Sequence, residues 1–185
     1  MKIQADLIDI TSLTLGDYIT FNTARSPIRR GMIATGWDEQ RVKDLPITAL
    51  EALIELMSEQ IEKTEFASLQ YKIELGGIAF GLHPNIDQIS TGEYLDLEQC
   101  TKNWLQSIPK FMSILYRPIT AYLGDSYQIE PYQPIDRTEL FKSMRYVDAL
   151  GCYLFFCNLR NDLANSLQMN LLSQMKESLN ELKQA

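Results

Sequence analysis

The sequence predicts an α+β fold: a mainly helical single domain over residues 1–185, with two short β-hairpins and a long C-terminal helix. Three observations predict it. Apolar residues recur at steps of three and four in several long segments, as on one face of an α-helix. Two alternating stretches flank Gly76-Gly77, and a second pair flanks Gly124-Asp125; such turns call for positive φ and mark hairpins. From about Val147 to Leu182 a helical apolar stripe continues almost to the end of the chain. At 185 residues, with 45% hydrophobic and 22% charged residues, the chain has the makings of one ordinary globular core rather than of a disordered segment.

Taken in order, Ile3 to Ile10 alternates loosely and reads as a short strand or an extended arm. Thr14 with Asp17 three residues on resembles a shortened capping box, opening a helix from about Leu15 to Ala24 that Ser26-Pro27 ends. Asp38 to Leu45 is a short helix. Pro46 suits the first position of the next, which runs to Thr64 with Leu50, Leu53, Ile54, Met57 and Ile61 on one face. Its opposite face carries Glu51, Glu55, Glu59 and Glu62: a solvated face, or an attraction for a basic partner. The first hairpin pairs residues 71–75 with 78–82, and the second pairs Ile119–Leu123 with Tyr127–Tyr132. Prolines 118, 131 and 134 should confine the second to edges or short pairings. Between the hairpins lie helices at about Thr91–Ser107 and Pro109–Tyr116. A short helix at Glu139–Phe141 precedes the long terminal one. The stretch from Tyr146 to Leu159 is the most apolar, but falls short of the roughly 20 residues that span a bilayer, and reads as a buried core helix.

Chemistry is harder to find. Seventeen basic against twenty-four acidic residues leave a net charge of −7, which disfavours nonspecific binding to nucleic acid or to an anionic membrane. The densest basic patch, Arg25, Arg29 and Arg30, reads as solvated loop arginines. Cys100, Cys152 and Cys157 are too few and scattered for a disulfide framework and fit a reducing compartment. Lys2, Asp6 and Asp9 do not compose a signal peptide. The single histidine, His83, has no nucleophile signature beside it, and the cysteines lack ligand spacing for zinc. Asp87, Glu93, Asp96 and Glu98 form a carboxylate cluster that helix starts explain as well as catalysis does. Gly76, Gly77 and Gly81 are not followed by a phosphate-loop lysine. No catalytic residue, cofactor or metal ligand is expected. Leu15-Gly16-Asp17-Tyr18-Ile19 and Thr91-Gly92-Glu93-Tyr94-Leu95 echo each other as two similar helix starts. The terminal stripe Leu163, Leu167, Leu171, Met175, Leu179 and Leu182 is the expected partner-binding surface, by packing on its own domain or on a partner helix.

One order of motifs is distinctive. Ile78-Ala79-Phe80-Gly81-Leu82-His83-Pro84-Asn85 runs into Ile89-Ser90-Thr91-Gly92-Glu93-Tyr94-Leu95-Asp96-Leu97. Met112-Ser113-Ile114-Leu115-Tyr116-Arg117-Pro118-Ile119 and Tyr127-Gln128-Ile129-Glu130-Pro131-Tyr132 follow. Over roughly residues 70 to 135 this resembles small proteins of the structural modules of tailed bacteriophages, especially of Bacteroidetes-type hosts. Within that set it is most similar to tail assembly chaperones or a neighbouring virion component. The resemblance implies a non-enzymatic role in the bacterial host cytoplasm during assembly, holding the helical tape-measure protein soluble, with other phage structural proteins as partners. The alternatives are a stoichiometric virion protein, such as a head–tail connector or tail component that self-associates into a ring, and, third, a small metal-dependent enzyme. Arg117, at the helix-to-strand corner, is expected to pair with Glu93 or Asp96 and so fix the two helices against the hairpins.

Overall fold

Several helix starts are set by side chains that cap the otherwise unpaired N–H groups of the first turn. In a computed structural model, which describes residues 7–65 and 68–159, Thr14 opens α1 (Leu15–Thr23) by accepting from the Asp17 N–H. Ser26 opens α2 (Pro27–Thr35), and Asp38 opens α3 (Glu39–Lys43). The Pro46 carbonyl accepts from the Ala49 and Leu50 N–H groups at the start of α4 (Ile47–Lys63), so Pro46 caps that helix rather than occupying its first position. The echo of helix starts holds: Ser90 and Glu93 form a full capping box at the head of α5 (Thr91–Thr101).

The sequence reading missed α2. Ser26-Pro27 closes one helix and opens another, because proline at the first helical position gives up only an N–H that would be unpaired anyway. Gly31 argues against a helix by propensity, yet it lies where α2 crosses α4. A Cβ there would sit 2.3 Å from Leu50 Cδ1 and 3.1 Å from Val42 Cγ1. Close approach of two backbones, not local preference, selects this glycine.

β1 (Lys72–Leu75) and β2 (Ile78–Leu82) form the first hairpin around Gly76 and Gly77, whose φ angles are 58° and 76°. β3 (Tyr116–Leu123) and β4 (Ser126–Ile129) form the second. The hairpins join into one antiparallel sheet of order β1-β2-β3-β4. β3 is therefore an inner strand in spite of Pro118, but its pairing is divided. Tyr116, Arg117 and Pro118 pair with β2, while Ile119 to Leu123 pair with β4 across an irregularity between Ile119 and Ala121. Pro118 ends the ladder to β2, so the expected short pairing is present and the expected edge position is not. The last strand stops at Ile129 rather than reaching Tyr132.

The break between the central helices also moves. It falls at Lys102-Asn103, and Pro109 lies inside α6 (Trp104–Leu115). A proline there costs ~3 kcal/mol in lost hydrogen bonding and clash. Ile108, Phe111, Met112 and Leu115 are all buried on that helix, each contributing about 1.5–3 kcal/mol, so a continuous apolar face outweighs the break.

α7 (Thr138–Phe141) and α8 (residues 146–159) complete the described chain. Phe141 meets Phe80 of β2 edge to face at 5.2 Å, tying α7 to the sheet. The residues before α1 are strapped to the α7–α8 connection: the Leu15 N–H donates to the Met144 carbonyl at 2.7 Å, and the Tyr146 N–H to that of Leu13 at 3.0 Å. Ile8 donates its N–H to the Ala34 carbonyl, and residues 7–9 run as an arm rather than a strand into a 3-10 turn at Ile10–Ser12. Residues 3–6 of that expected segment lie outside the described residues. The buried side chains form one core between the helices and the sheet, with Phe21, Phe80, Phe111, Tyr116, Phe141 and Tyr146 its largest fully buried members.

Candidate functional site

The carboxylate cluster read from the sequence is dispersed by the fold, and its centre is a buried ion pair. Glu93 lies in the first turn of α5 and is 5% exposed; Arg117, at the start of β3, is 6% exposed. Arg117 Nη2 lies 3.0 Å from Glu93 Oε1, which is the expected pairing of the corner arginine. The Ser90 N–H donates to Glu93 Oε2 at 2.7 Å, so the same carboxylate caps α5 and neutralises β3. His83, just past β2, places Nε2 4.0 Å from Glu93 Oε1, while its Nδ1 accepts from the Asn85 N–H. Three segments are thus pinned at one point: α5, the corner of α6 and β3, and the exit of β2.

The electrostatics follow from that geometry. Burial pushes the Glu93 carboxyl up, but the Ser90 hydrogen bonds, Arg117 and His83 outweigh it and leave it below its ordinary value. Burial and the Arg117 charge lower His83, with Glu93 and the Asn85 bond opposing them. Burial also pulls Arg117 down, against the pull of Glu93 and Glu130. Oε2 accepts from the Ser90 N–H, whereas Oε1 faces Arg117 and His83 as an ion-pair partner without a hydrogen bond of its own. Asp96, the other candidate for Arg117, accepts instead from the Tyr132 hydroxyl. Beside it Lys110, Ser113 and Asp136 help to line a cavity of about 190 Å³ that Ile114, Pro134 and Ile135 also border. Glu98 is exposed, and Asp87 lies in a 3-10 turn. Among the described residues no group of three His, Cys, Asp or Glu side chains could hold a metal ion, and no helix is long and apolar enough to cross a membrane. Cys152 is buried, which pushes its thiol up to about 12, and Cys100 is raised for the same reason.

A different surface joins core and exposed apolar side chains. α1, α6 and α8 supply Tyr18, Trp104, Leu150, Tyr153 and Leu154 to an apolar groove of about 290 Å³. Trp104 stacks on Tyr153 with ring centroids 5.9 Å apart, and Phe111 meets both Tyr153 and Phe156 edge to face from below. The aromatic floor is therefore fixed in place by core contacts. Trp104 and Leu154 are 42% and 41% exposed, and Phe155 on the same helix is 40% exposed. The apolar run 146–159 is expected as a buried core helix. Its first part is buried from Tyr146 to Leu150, but its second part turns Leu154 and Phe155 outward. Periodicity could have signalled this, since Leu154, Phe155 and Phe156 in a row cannot all face one core. The expected partner stripe, Leu163, Leu167, Leu171, Met175, Leu179 and Leu182, lies outside the described residues.

The hairpin edges show a second, smaller arrangement. The Tyr127 ring lies across Gly81, where a Cβ would come within 2.2 Å of it, and its hydroxyl donates towards the carbonyls of Tyr71 and Leu82 at 2.9 and 2.8 Å. Gly81 thus serves strand packing, not phosphate binding. Lys72 Nζ stands over the Tyr122 and Tyr127 rings at 5.4 and 5.5 Å. Tyr71, just before β1, and Tyr122 and Leu123, at the end of β3, stay exposed.

Comparison with protein-family models, with curated proteins and with solved structures yields no match to this chain.

Proposed function

We propose that this protein is a non-enzymatic assembly factor that holds an amphipathic helical segment of a larger protein, in keeping with the likeness of its motifs to phage tail assembly chaperones. The observation that carries the reading is the apolar groove of Tyr18, Trp104, Leu150, Tyr153 and Leu154. An aromatic floor already ordered by Phe111 and Phe156 loses little freedom on binding, and aliphatic side chains at helical spacing fit such a trough. The groove opens beside α8. A net charge of −7 keeps a loaded complex soluble and favours a basic helical client. In the phage setting the client is the tape-measure protein, and the complex forms in the host cytoplasm.

The second reading, a stoichiometric virion component, is supported by the two outer strands of the open sheet. These strands, β1 and β4, each present one edge that could pair with a neighbouring subunit, and the exposed Tyr71 stands just before β1. Co-expression with a tape-measure protein, followed by mass spectrometry of purified particles, separates the two. A chaperone raises the soluble yield of the client and is absent from finished particles; a structural subunit is retained in fixed ratio. If neither the soluble yield nor the particles depend on this protein, both readings fail.

A further inference from the structure

The fold changes the meaning of the arginine patch that the sequence presents as a loop. Arg29 and Arg30 lie on α2, Arg25 stands just before it, and Arg41 lies on α3. Arg29 and Trp37 line one surface groove, and the Arg41 guanidinium covers the Trp37 ring at 3.7 Å. Arg30 lies over Phe21 at 4.7 Å. Among the described residues none of these four arginines forms an ion pair. Asp17 and Asp38 stand beside them, but Asp17 accepts from the Thr14 hydroxyl and Asp38 from the Arg41 backbone N–H. On a chain of net charge −7 this is a face of arginines without ion-pair partners among the described residues, two of them laid over aromatic rings.

Its complement is on the next helix. Leu50, Leu53, Ile54 and Met57 bury one side of α4, so Glu51, Glu55, Glu59 and Glu62 project from the other, all exposed. Only Glu59 is neutralised, by Lys63 at 2.9 Å. Glu51, Glu55 and Glu59 succeed one another at four-residue steps, about 6 Å apart along the axis. α2 and α4 are locked together through Gly31 and Leu50, so both faces belong to one rigid unit.

We propose that the Arg29–Trp37–Arg41 face of one copy docks on the Glu51–Glu55 ridge of a second copy. The two patches differ, so the contact is head to tail and builds a ring or an open row rather than a two-fold dimer. It uses residues outside the groove of α1, α6 and α8 and stands whether or not that groove binds a helix. Sedimentation velocity across a wide concentration series tests it. The wild-type chain sediments faster as concentration rises at about 0.05 M salt, and this association weakens about tenfold or more at about 0.5 M. The double variant Arg29→Glu/Arg41→Glu and the double variant Glu51→Arg/Glu55→Arg each remain monomeric at low salt. Mixed in equal amounts they associate again, because each now offers the charge the other lacks. The neutral pair Arg29→Gln and Arg41→Gln, checked for an unchanged melting curve, serves where a reversal perturbs folding, and it too is expected to remain monomeric. A wild-type chain that stays monomeric at low salt overturns the proposal, even if the arginine face then captures polyglutamate or a nucleic acid. Association that persists in both variants, or that mixing fails to restore, overturns it as well.

Discussion

Removing the Arg117 guanidinium should be among the most damaging single changes in this protein. Arg117 and Glu93 are 6% and 5% exposed and 3.0 Å apart, so Arg117→Ala strands a carboxylate in a dry site. Breaking a buried pair by deleting one partner typically costs 3–5 kcal/mol, because the surviving charge keeps its desolvation penalty, and here about 3 kcal/mol is expected. The lower end follows from two contacts that remain: the Ser90 N–H on Oε2 at 2.7 Å, and His83 Nε2 at 4.0 Å, which can take up a proton. Glu93→Ala also removes half of the capping box and leaves the arginine unpaired, so roughly 4 kcal/mol is expected. Urea unfolding followed by tryptophan emission and far-UV circular dichroism measures both. The pH dependence adds a signature. In the wild type the Glu93 carboxyl is held low, so its stabilisation is present above the ordinary carboxylate value of about 4.3 and is lost as pH falls through the folded one. Without Arg117 burial is opposed by less, the carboxyl rises, and protonation relieves the variant. The gap between wild type and Arg117→Ala therefore narrows as pH is lowered from 7 to about 4. A variant within about 0.5 kcal/mol of wild type at neutral pH would refute the reasoning.

Other outcomes follow from the same contacts. His83 is held below its ordinary value, so its contribution is intact above about pH 6.5 and is lost as pH falls below it; His83→Gln should flatten the stability profile between about pH 7 and 5. Gly31→Ala sets helix propensity, which favours alanine by about 1 kcal/mol, against a Cβ 2.3 Å from Leu50 Cδ1. Overpacking should win, with a net loss of about 1–2 kcal/mol in chemical denaturation, and Leu50→Val beside it should recover part of that loss. Gly81→Ala drives a Cβ to 2.2 Å from the Tyr127 ring and should lower the melting temperature, with loss of the Tyr127 contact visible by NMR. An exposed alkylating reagent should label Cys157 before Cys152, since Cys152 is 1% exposed with its thiol pushed up to about 12; equal rates in a mass-resolved time course would contradict the packing of α8.

The legible parts of the fold were those written in local chemistry. Gly76-Gly77, the apolar steps of α4 and the hydroxyl-plus-acid starts of α1 and α5 each carry their own signal within a few residues. What escaped depends on distant partners. α2 hides behind Gly31, whose reason is Leu50 on another helix, and the helix break at Pro109 yields to a buried face completed by the rest of the core. The joining of the hairpins rests on three residue pairs between β2 and β3, which no periodicity announces. That Arg117 would meet an acid of α5 was readable, but the choice of Glu93 over Asp96 was not, since it depends on Ser90 and, from a distant segment, on Tyr132. The groove of Trp104 and Leu154 was not, since an apolar run looks the same whether the fold covers it or leaves it open. The leucine stripe from 163 to 182 remains an expectation of sequence alone.

The most direct test of the helix-holding role uses Trp104 as its own reporter. The chain has two tryptophans, so a Trp37→Phe variant leaves Trp104, 42% exposed at the groove, as the only emitter. Titration with a synthetic amphipathic helix, leucine-striped on one side and lysine-rich on the other, should give a saturable blue shift with a Kd of about 1–100 μM. Leu154→Asp in the same background should weaken that binding at least tenfold while leaving the melting curve nearly unchanged, because Leu154 is 41% exposed. An emission spectrum that does not move up to about 1 mM peptide, or one that shifts equally with Leu154→Asp, would contradict the account.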